Sequence, residues 1–260
     1  MRSWDELATD VRRKGGLCQV STMEDSAPTS PNGSPIEVRP IHRDELGKVL
    51  LRCLPDGYRI EAMFKAQEVI GMGAWDGDSC IGQLHCYRLL VPHGSVDLWP
   101  AWSRPSYVDA VLDGRLGIIG PVWCHACFHV GRSIESFSHS DAPDNRYFSR
   151  GIGTALARAS IRWAKEHGYE AIIAPGTPER LFAFSVWAGG LPWTTYRKLG
   201  FSEFVLDVGD SLPQWAKGDA PQEVMMEVNA ALTEGRPKRD FHSKLMVMKL
   251  KSARGVTQKE

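Results

Sequence analysis

The chain has 260 residues, 43% hydrophobic and 24% charged, enough for one good-sized core. Lysine plus arginine balance aspartate plus glutamate at 31 each, so no net field draws the chain to nucleic acid or an anionic membrane. No apolar run reaches the roughly 18 residues of a membrane span. The opening MRSWDELATD lacks the apolar stretch of a signal peptide, so a cytoplasmic location is expected, with neither nucleic-acid nor membrane partner. The six cysteines (Cys18, Cys53, Cys80, Cys86, Cys124, Cys127) lie mostly in apolar, strand-like runs and read as reduced thiols.

Ser3 and Glu6 have capping-box spacing, which predicts a short N-terminal helix ending near Gly15-Gly16. Residues 21–35, STMEDSAPTSPNGSP, read as a flexible linker. The expected organisation is an arm over 1–35, a domain over 36–250 and a tail over 251–260. IEVRP predicts the first strand, and HRDELGKVLLRCL and the stretch from Tyr58 to Val69 predict helices. MGAWDGDSCIGQLHCYRLL predicts a hairpin turning at Asp76-Gly77-Asp78. Residues 91–117 read as irregular and tryptophan-bearing. LGIIGPVWCHACFHVG is too continuously apolar for a wet face and predicts a buried central strand.

After the polar stretch GRSIESFSHSDAPDN comes a helix with Ile152, Ala155, Leu156, Ala159 and Trp163 on its apolar face, stopped by Gly168. YEAIIAPG predicts a strand. PWTTYRKLGF predicts a short helix opened by Pro192 and closed by Gly200. SEFVLDV and SKLMVMKL predict two last strands, with the helical PQEVMMEVNAALTEG between them. Interleaved strands and helices, with hairpins at both ends, predict an α/β protein of the α+β type around a mixed sheet.

The segment RYFSRGIGTAL, Arg146 to Leu156, sets two glycines at the start of a helix. Backbone N–H groups in a tight turn leading into a helix cradle an anion, and glycine lets a phosphate approach closely. A Walker loop requires Lys-Ser/Thr where Thr154-Ala155 stands, and a dinucleotide fingerprint requires a third glycine where Leu156 stands. Glycines used only for packing are the other reading of the turn.

SRGIGTALARASIRWAKEHGYEAII followed by WTTYRKLGFSEF resembles the GNAT superfamily of acyl-CoA-dependent N-acyltransferases. The resemblance rests on Gly151 and Gly153 in the pyrophosphate loop, on Tyr196, Gly200 and Phe201 in the later helix end, and on Gly82 in the third strand. Phe148 and Ser149 depart from the loop pattern, Gly189 replaces a common asparagine, and about 15 extra residues (131–145) precede the loop. The resemblance implies a mostly antiparallel central sheet flanked by helices and direct transfer of an acetyl group from acetyl-CoA to the amine of a small molecule or peptide. It implies cofactor contacts at Ser149, Arg150, Gly151, Ile152, Gly153 and Thr154, with Phe128, His129 and Val130 facing the pantetheine. A non-catalytic acyl-CoA sensor or interaction module on the same fold is the alternative.

By that resemblance Tyr196 is the expected acid for the departing thiolate; its other reading is an aromatic packing its helix on the sheet. His129 is a candidate base or a core histidine, with Glu170 and Glu179 behind it. The CHACFH run contains both C-x-x-C and H-x-x-x-H, which suggests zinc. Strand alternation sends Cys124 and Cys127 to opposite faces and leaves His125, Cys127 and His129 on one. With no second C-x-x-C, buried strand cysteines are expected and no metal. Trp99, Trp102, Trp187 and Trp193 are candidate walls of an acceptor pocket or plugs under loops.

Overall fold

The computed structural model describes residues 27–50, 57–91, 111, 113–131, 144–217 and 220–250. One eight-stranded sheet organises them. Its strands are β1 (Glu37–Pro40), β2 (Gly71–Asp76), β3 (Ser79–Val91), β4 (Gly120–Val130), β5 (Ala171–Thr177), β6 (Leu191–Pro192), β7 (Ser202–Phe204) and β8 (Lys244–Lys249). The order is β1-β2-β3-β4-β5-β8-β7, with β6 on β5. Pairings are antiparallel except β4 with β5 and β5 with β6. The mixed, mostly antiparallel sheet flanked by helices is therefore present.

The helices are α1 (Gly57–Gln67), α2 (Ile152–Glu166), α3 (Phe182–Ala188), α4 (Trp193–Lys198) and α5 (Gln222–Thr233). One face of the sheet buries Tyr87, Leu89, Val122, Cys124 and Ile173 with Ile60 and Met63 of α1. The other buries Leu84, Cys86, Trp123 and Ile172 with Ile152, Leu156 and Ala159 of α2 and Tyr196 of α4. Gly82 serves this second face. A Cβ there would lie 3.1 Å from the Ile152 side chain, so its absence lets the start of α2 sit close on β3. A satellite core joins Leu181 and Phe184 to Val224 and Val228, holding α3 against α5.

The hairpin at Asp76-Gly77-Asp78 forms as expected, with Gly77 at φ 59°. In the segment HRDELGKVLLRCL, the described residues up to Leu50 form a 3-10 turn over Arg43–Lys48 followed by extended Val49, in place of the start of the expected helix; residues 51–54 lie outside the described residues. The helix expected between Ser3 and Gly16 lies outside the described residues, as do the arm up to residue 26, residues 92–110 with Trp99 and Trp102, the insert 132–143 and the tail 251–260. Residues 27–35, read as part of a linker, make local contacts. Ser30 is buried, its hydroxyl accepts from the Asn32 and Ser34 amides, and Thr29 bridges Pro35. Local side chain to backbone bonds of this kind replace the apolar burial that the segment lacks.

Gln67, the last residue of α1, is buried and clamps the helix to β3. Its amide donates to the carbonyls of Val69 (2.8 Å) and Cys86 (2.9 Å) and accepts from the Arg88 N–H (2.9 Å). Replacing it with isosteric but apolar methionine strands those backbone groups. Gln67→Met is expected to lower the unfolding free energy by roughly 2–3 kcal/mol. Urea denaturation checks this; a change below about 0.5 kcal/mol would show that water replaces the amide.

Candidate active site

The site begins where the central sheet fails to close. β4 and β5 pair over only three positions, Val122 with Ala171, Trp123 with Ile172 and Cys124 with Ile173. Beyond them β5 keeps its pairing to β8 as far as Gly176, while its other edge parts from β4. Residues Gly189–Pro192 stand in this gap. Leu191 pairs with Gly176 on the β4-facing edge of β5, and the Gly189 carbonyl accepts from the Phe128 N–H at 2.7 Å. The Phe128 N–H is thus already bonded within the chain. Strand alternation puts the Val130 N–H on the same edge, two residues further out. The His129 N–H faces β3.

The glycine turn borders the same gap. Ser149 (φ 58°) and Gly151 (φ 77°) are both left-handed, and Gly151 caps the N-terminus of α2 without a side-chain hydrogen bond. Among the described residues, nothing lies within 4 Å of a Cβ built on Gly151, whereas one on Gly153 would meet the Leu191 side chain at 2.8 Å. The two glycines therefore have separate reasons. Gly151 supplies a left-handed backbone conformation, and Gly153 lets α2 sit against the gap-filling segment. The first turn of α2, from Ile152 through Thr154, presents N–H groups without intrahelical acceptors, with the helix dipole behind them. Arg150 is tied down beside this turn, donating to the carbonyls of Arg146 (2.5 Å) and Ser30 (3.2 Å). Phe148 stacks edge-on with Phe182 of α3 at 5.8 Å.

A β-bulge decides what each face of β4 carries. His85 pairs with Cys127 and Cys86 with His125, leaving Ala126 as the extra residue. His125 and Phe128 consequently share the α2 face, and Cys127 and His129 the opposite one. This corrects the expected alternation: His125 does not join Cys127 and His129, and Cys124 and Cys127 do not diverge.

On the α2 face, Tyr196 is fully buried and its hydroxyl lies 3.3 Å from His125 Nδ1. His125 Nε2 lies 3.0 Å from the Ser160 hydroxyl, which also accepts from Trp123 Nε1 at 2.8 Å. Burial pushes the Tyr196 phenol well above its ordinary value and drops the His125 imidazole to about 3. Both groups are neutral at physiological pH.

On the other face, Cys127 Sγ stands 3.3 Å from His85 Nδ1 and 3.3 Å from His129 Nε2. These three side chains bring one ligand-type atom each within 4.8 Å of one another. His85 is fully buried, while Cys127 and His129 are half-buried. Burial, reinforced by the neighbouring His129, holds the His85 imidazole well below its ordinary value. Gln83 orients it. The amide fits its surroundings only with its NH2 donating to the Leu50 carbonyl and to His85 Nε2, and its oxygen accepting from the Leu50 N–H. Tyr196 and His129, the two expected catalytic groups, therefore lie on opposite faces of β4.

Glu170 sits at the closed end of the β4–β5 pairing, its N–H bonded to Pro121. Glu179 caps α4 by accepting from the Thr194 N–H (3.1 Å) and hydroxyl. Neither carboxylate reaches the gap through these contacts. Trp193 is covered by Lys244 and Arg197, and Trp187 joins Phe184 and Trp215. Sequence reasoning missed His85 and Gln83. The alternating Gln83-x-His85 of β3 was visible, but its pairing register to Cys127 was not.

The model of the acetyltransferase (GNAT) family matches residues 82–185, from Gly82 in β3 through the glycine turn to Ser185 in α3. A search of the curated proteins finds no match. Among solved structures, a mosquito arylalkylamine N-acetyltransferase-like protein (5b) is 18% identical, with TM-score 0.46 over 83% of this chain and 100% of that one. The ribosomal-protein-S18-alanine N-acetyltransferase of Escherichia coli is 9% identical, with TM-score 0.39 over 85% and 99%. An Arabidopsis thaliana protein solved with acetyl-CoA is 14% identical, with TM-score 0.37 over 83% and 100%.

The buried His125 makes stability depend on acid. Unfolded, it binds a proton near 6.5; folded, only near 3. Between those values the unfolded chain holds the extra proton, so stability falls as pH drops below about 6.5 and levels off near 3. The slope expected from this group is at most about 1.4 kcal/mol per pH unit. Urea midpoints at pH 7 and pH 5 should show a smaller acid loss in His125→Gln than in the native chain. Equal losses would mean that the imidazole reaches solvent.

Proposed function

From the GNAT acetyltransferase segment at residues 82–185, we propose that the chain is an N-acyltransferase that moves an acetyl group from acetyl-CoA to an amine of a small molecule or peptide. The observation that carries this reading is the Gly151 turn, whose first helix amides have no intrahelical acceptors, set beside the short β4–β5 pairing. The diphosphate of the coenzyme sits on the amides of residues 151–154, beside Arg150 and Ser149. Its pantetheine arm runs along β4 at Val130, with Phe128 and His129 flanking it, and the thioester reaches the gap. The coenzyme thus comes from the α2 side and the amine from the side of Cys127 and His129.

Acyl transfer requires a neutral amine and a proton for the departing sulfur. His129, half-buried beside the gap, takes the proton from the amine and returns it to that sulfur. Tyr196 has a different part from that of a full acid. Burial keeps its phenol protonated far above a thiol's range, so it donates a hydrogen bond to the developing thiolate without surrendering the proton. His125 fixes the hydroxyl.

One feature supports a second reading, a non-catalytic acyl-CoA sensor. The Gly189 carbonyl already occupies the Phe128 amide, which closes part of the gap. A free-thiol release assay over an amine panel, with intact-mass detection of products, separates the two. Turnover with any amine supports the enzyme; tight acetyl-CoA binding with no turnover over the whole panel supports the sensor.

Two substitutions test the geometry. Gly151→Val forces a β-branched side chain into a left-handed backbone, costing about 1–2 kcal/mol, and it displaces the amide cradle. It is expected to weaken acetyl-CoA binding more than about tenfold while the protein stays folded. Calorimetry showing unchanged affinity would overturn the phosphate site. Tyr196→Phe is expected to lower kcat by roughly 10²-fold with the Kd for acetyl-CoA little changed. Near-full activity with chemistry rate-limiting would leave Tyr196 a packing residue.

A further inference from the structure

Cys127 Sγ is bracketed by two imidazole nitrogens at 3.3 Å each, and the direction of its hydrogen bond with His85 follows from the backbone of Leu50. The Leu50 N–H and C=O admit one orientation of the Gln83 amide, whose NH2 then donates to His85 Nε2. A neutral imidazole accepting at Nε2 carries its proton at Nδ1. That N–H points at Cys127 Sγ. His129 Nε2, 3.3 Å from the sulfur on its other side, is placed to take the thiol's proton. The chain Leu50–Gln83–His85–Cys127–His129 thus aims a donor at the sulfur and an acceptor at its proton. This is the arrangement that activates a thiol: one group stabilises the thiolate and another removes the proton.

The thiol is also placed for acyl chemistry. A Cβ built on Gly189, the residue standing in the β4–β5 gap, would lie 3.3 Å from Cys127 Cβ. Cys127 therefore borders the space assigned above to the thioester, on the face from which the amine approaches. The other described cysteines differ: Cys80, Cys86 and Cys124 are all buried, and burial raises each thiol, Cys80 and Cys86 to about 12. Cys127 alone among them is half-buried and flanked by imidazoles.

We propose that Cys127 is a catalytic nucleophile that carries the acyl group between coenzyme A and the amine. The proposal rests on the acyl-CoA reading above and replaces the direct transfer that the family resemblance implies with two steps. In the first, Cys127 passes its proton to His129 and its sulfur attacks the thioester carbonyl. A sulfur–carbon bond to Cys127 forms, the bond to the coenzyme sulfur breaks, and His129 gives its proton to the departing thiolate. One thioester replaces another, so no oxidant, reductant or added energy is required. In the second, the amine nitrogen attacks acyl-Cys127. His129 takes the amine proton, the amide forms, and the proton returns to the Cys127 sulfur. His85 and Gln83 are positioning residues, since they act through the sulfur.

The three side chains also have the composition of a metal site, but His85 Nδ1 carries a proton in the orientation that Leu50 dictates. A metal would have to displace that proton and reverse the Gln83 amide.

The full-length protein is incubated with acetyl-CoA and no amine, quenched in acid and weighed intact. The expected result is the mass of one acetyl group on the chain, mapped to Cys127, released by neutral hydroxylamine and lost when an accepted amine is added. Initial rates with both substrates varied should give parallel double-reciprocal lines. Cys127→Ser should retain acetyl-CoA affinity and its melting temperature while losing the adduct and about 10²-fold or more of kcat. His85→Asn, with Cys127 intact, should slow adduct formation without altering acetyl-CoA affinity. Acetyl-CoA binding and turnover with no adduct and with intersecting lines overturns the proposal and leaves the acyltransferase reading standing. An adduct on another cysteine overturns it as well. Stoichiometric zinc in the purified protein, lost in Cys127→Ser, overturns it in favour of a metal site. Failure to bind acetyl-CoA at all overturns the parent reading and this one with it.

Discussion

The shortness of the β4–β5 pairing governs the rest of the molecule. Two parallel neighbours that share only three positions leave the centre of a sheet open, and buried strand edges do not remain unpaired. The chain meets this demand locally. Gly189 supplies a carbonyl to β4 and Leu191 a short pairing to β5. Such closure is weaker than a full ladder, because each edge contributes only one or two bonds and the segment crosses two left-handed or closely packed glycines. A gap held by so few bonds is a place where another extended chain, such as a pantetheine arm, can compete for the same groups. The helix start at Gly151 lies against this segment through Gly153 and Leu191, and in the proposed function it is where the charged end of that chain rests.

Beside the gap, the bulge at Ala126 assigns the chemistry to faces. Without it, His125, Cys127 and His129 would form one stripe. With it, His125 turns to the interior, where Ser160 and Tyr196 satisfy it, and the Cys127–His129 pair turns toward His85. A single extra residue thus separates the fully buried His125–Ser160–Tyr196 network from the half-buried Cys127–His129 pair. The first stiffens the base of α2 on the sheet. The second lies beside Gly189 at the β4–β5 gap.

Much of this frame was legible in the sequence, for physical reasons that differ by element. The hairpin at Gly77 and the stop at Gly168 were visible because glycine at positive φ marks a turn wherever it occurs. Helix α2 was visible because its apolar stripe keeps a 3.6-residue period. Helix α3 was not, because its N-terminus is held from a distance: Leu181 offers no cap, and the Phe184 N–H is bonded by Glu227 of α5. Residues 27–35 read as linker because they bury little apolar surface; the contacts of Ser30, whose hydroxyl accepts from Asn32 and Ser34 and whose carbonyl accepts from Arg150, are side chain to backbone bonds that apolar patterning does not show. The register that joins His85 to Cys127 was hidden for a further reason. Two bulges, at Ala74/Trp75 and His85/Cys86, shift the partners of β3, and counting by twos along a strand cannot detect them.

The polarity of the Cys127 cluster has a separate origin. A histidine as deeply buried as His85 avoids charge, so it can serve only as a neutral donor or a neutral acceptor. Which of the two it becomes is decided four atoms away, where the Leu50 peptide fixes the Gln83 amide. The peptide group cannot exchange its N–H for its C=O, so the orientation is locked by the fold and not by pH. His129 is half-buried on the other side of the sulfur. In the proposed transfer, a donor fixed by the fold on one side of Cys127 and an acceptor on the other give the proton one direction of travel, from the sulfur outward to the β4–β5 gap.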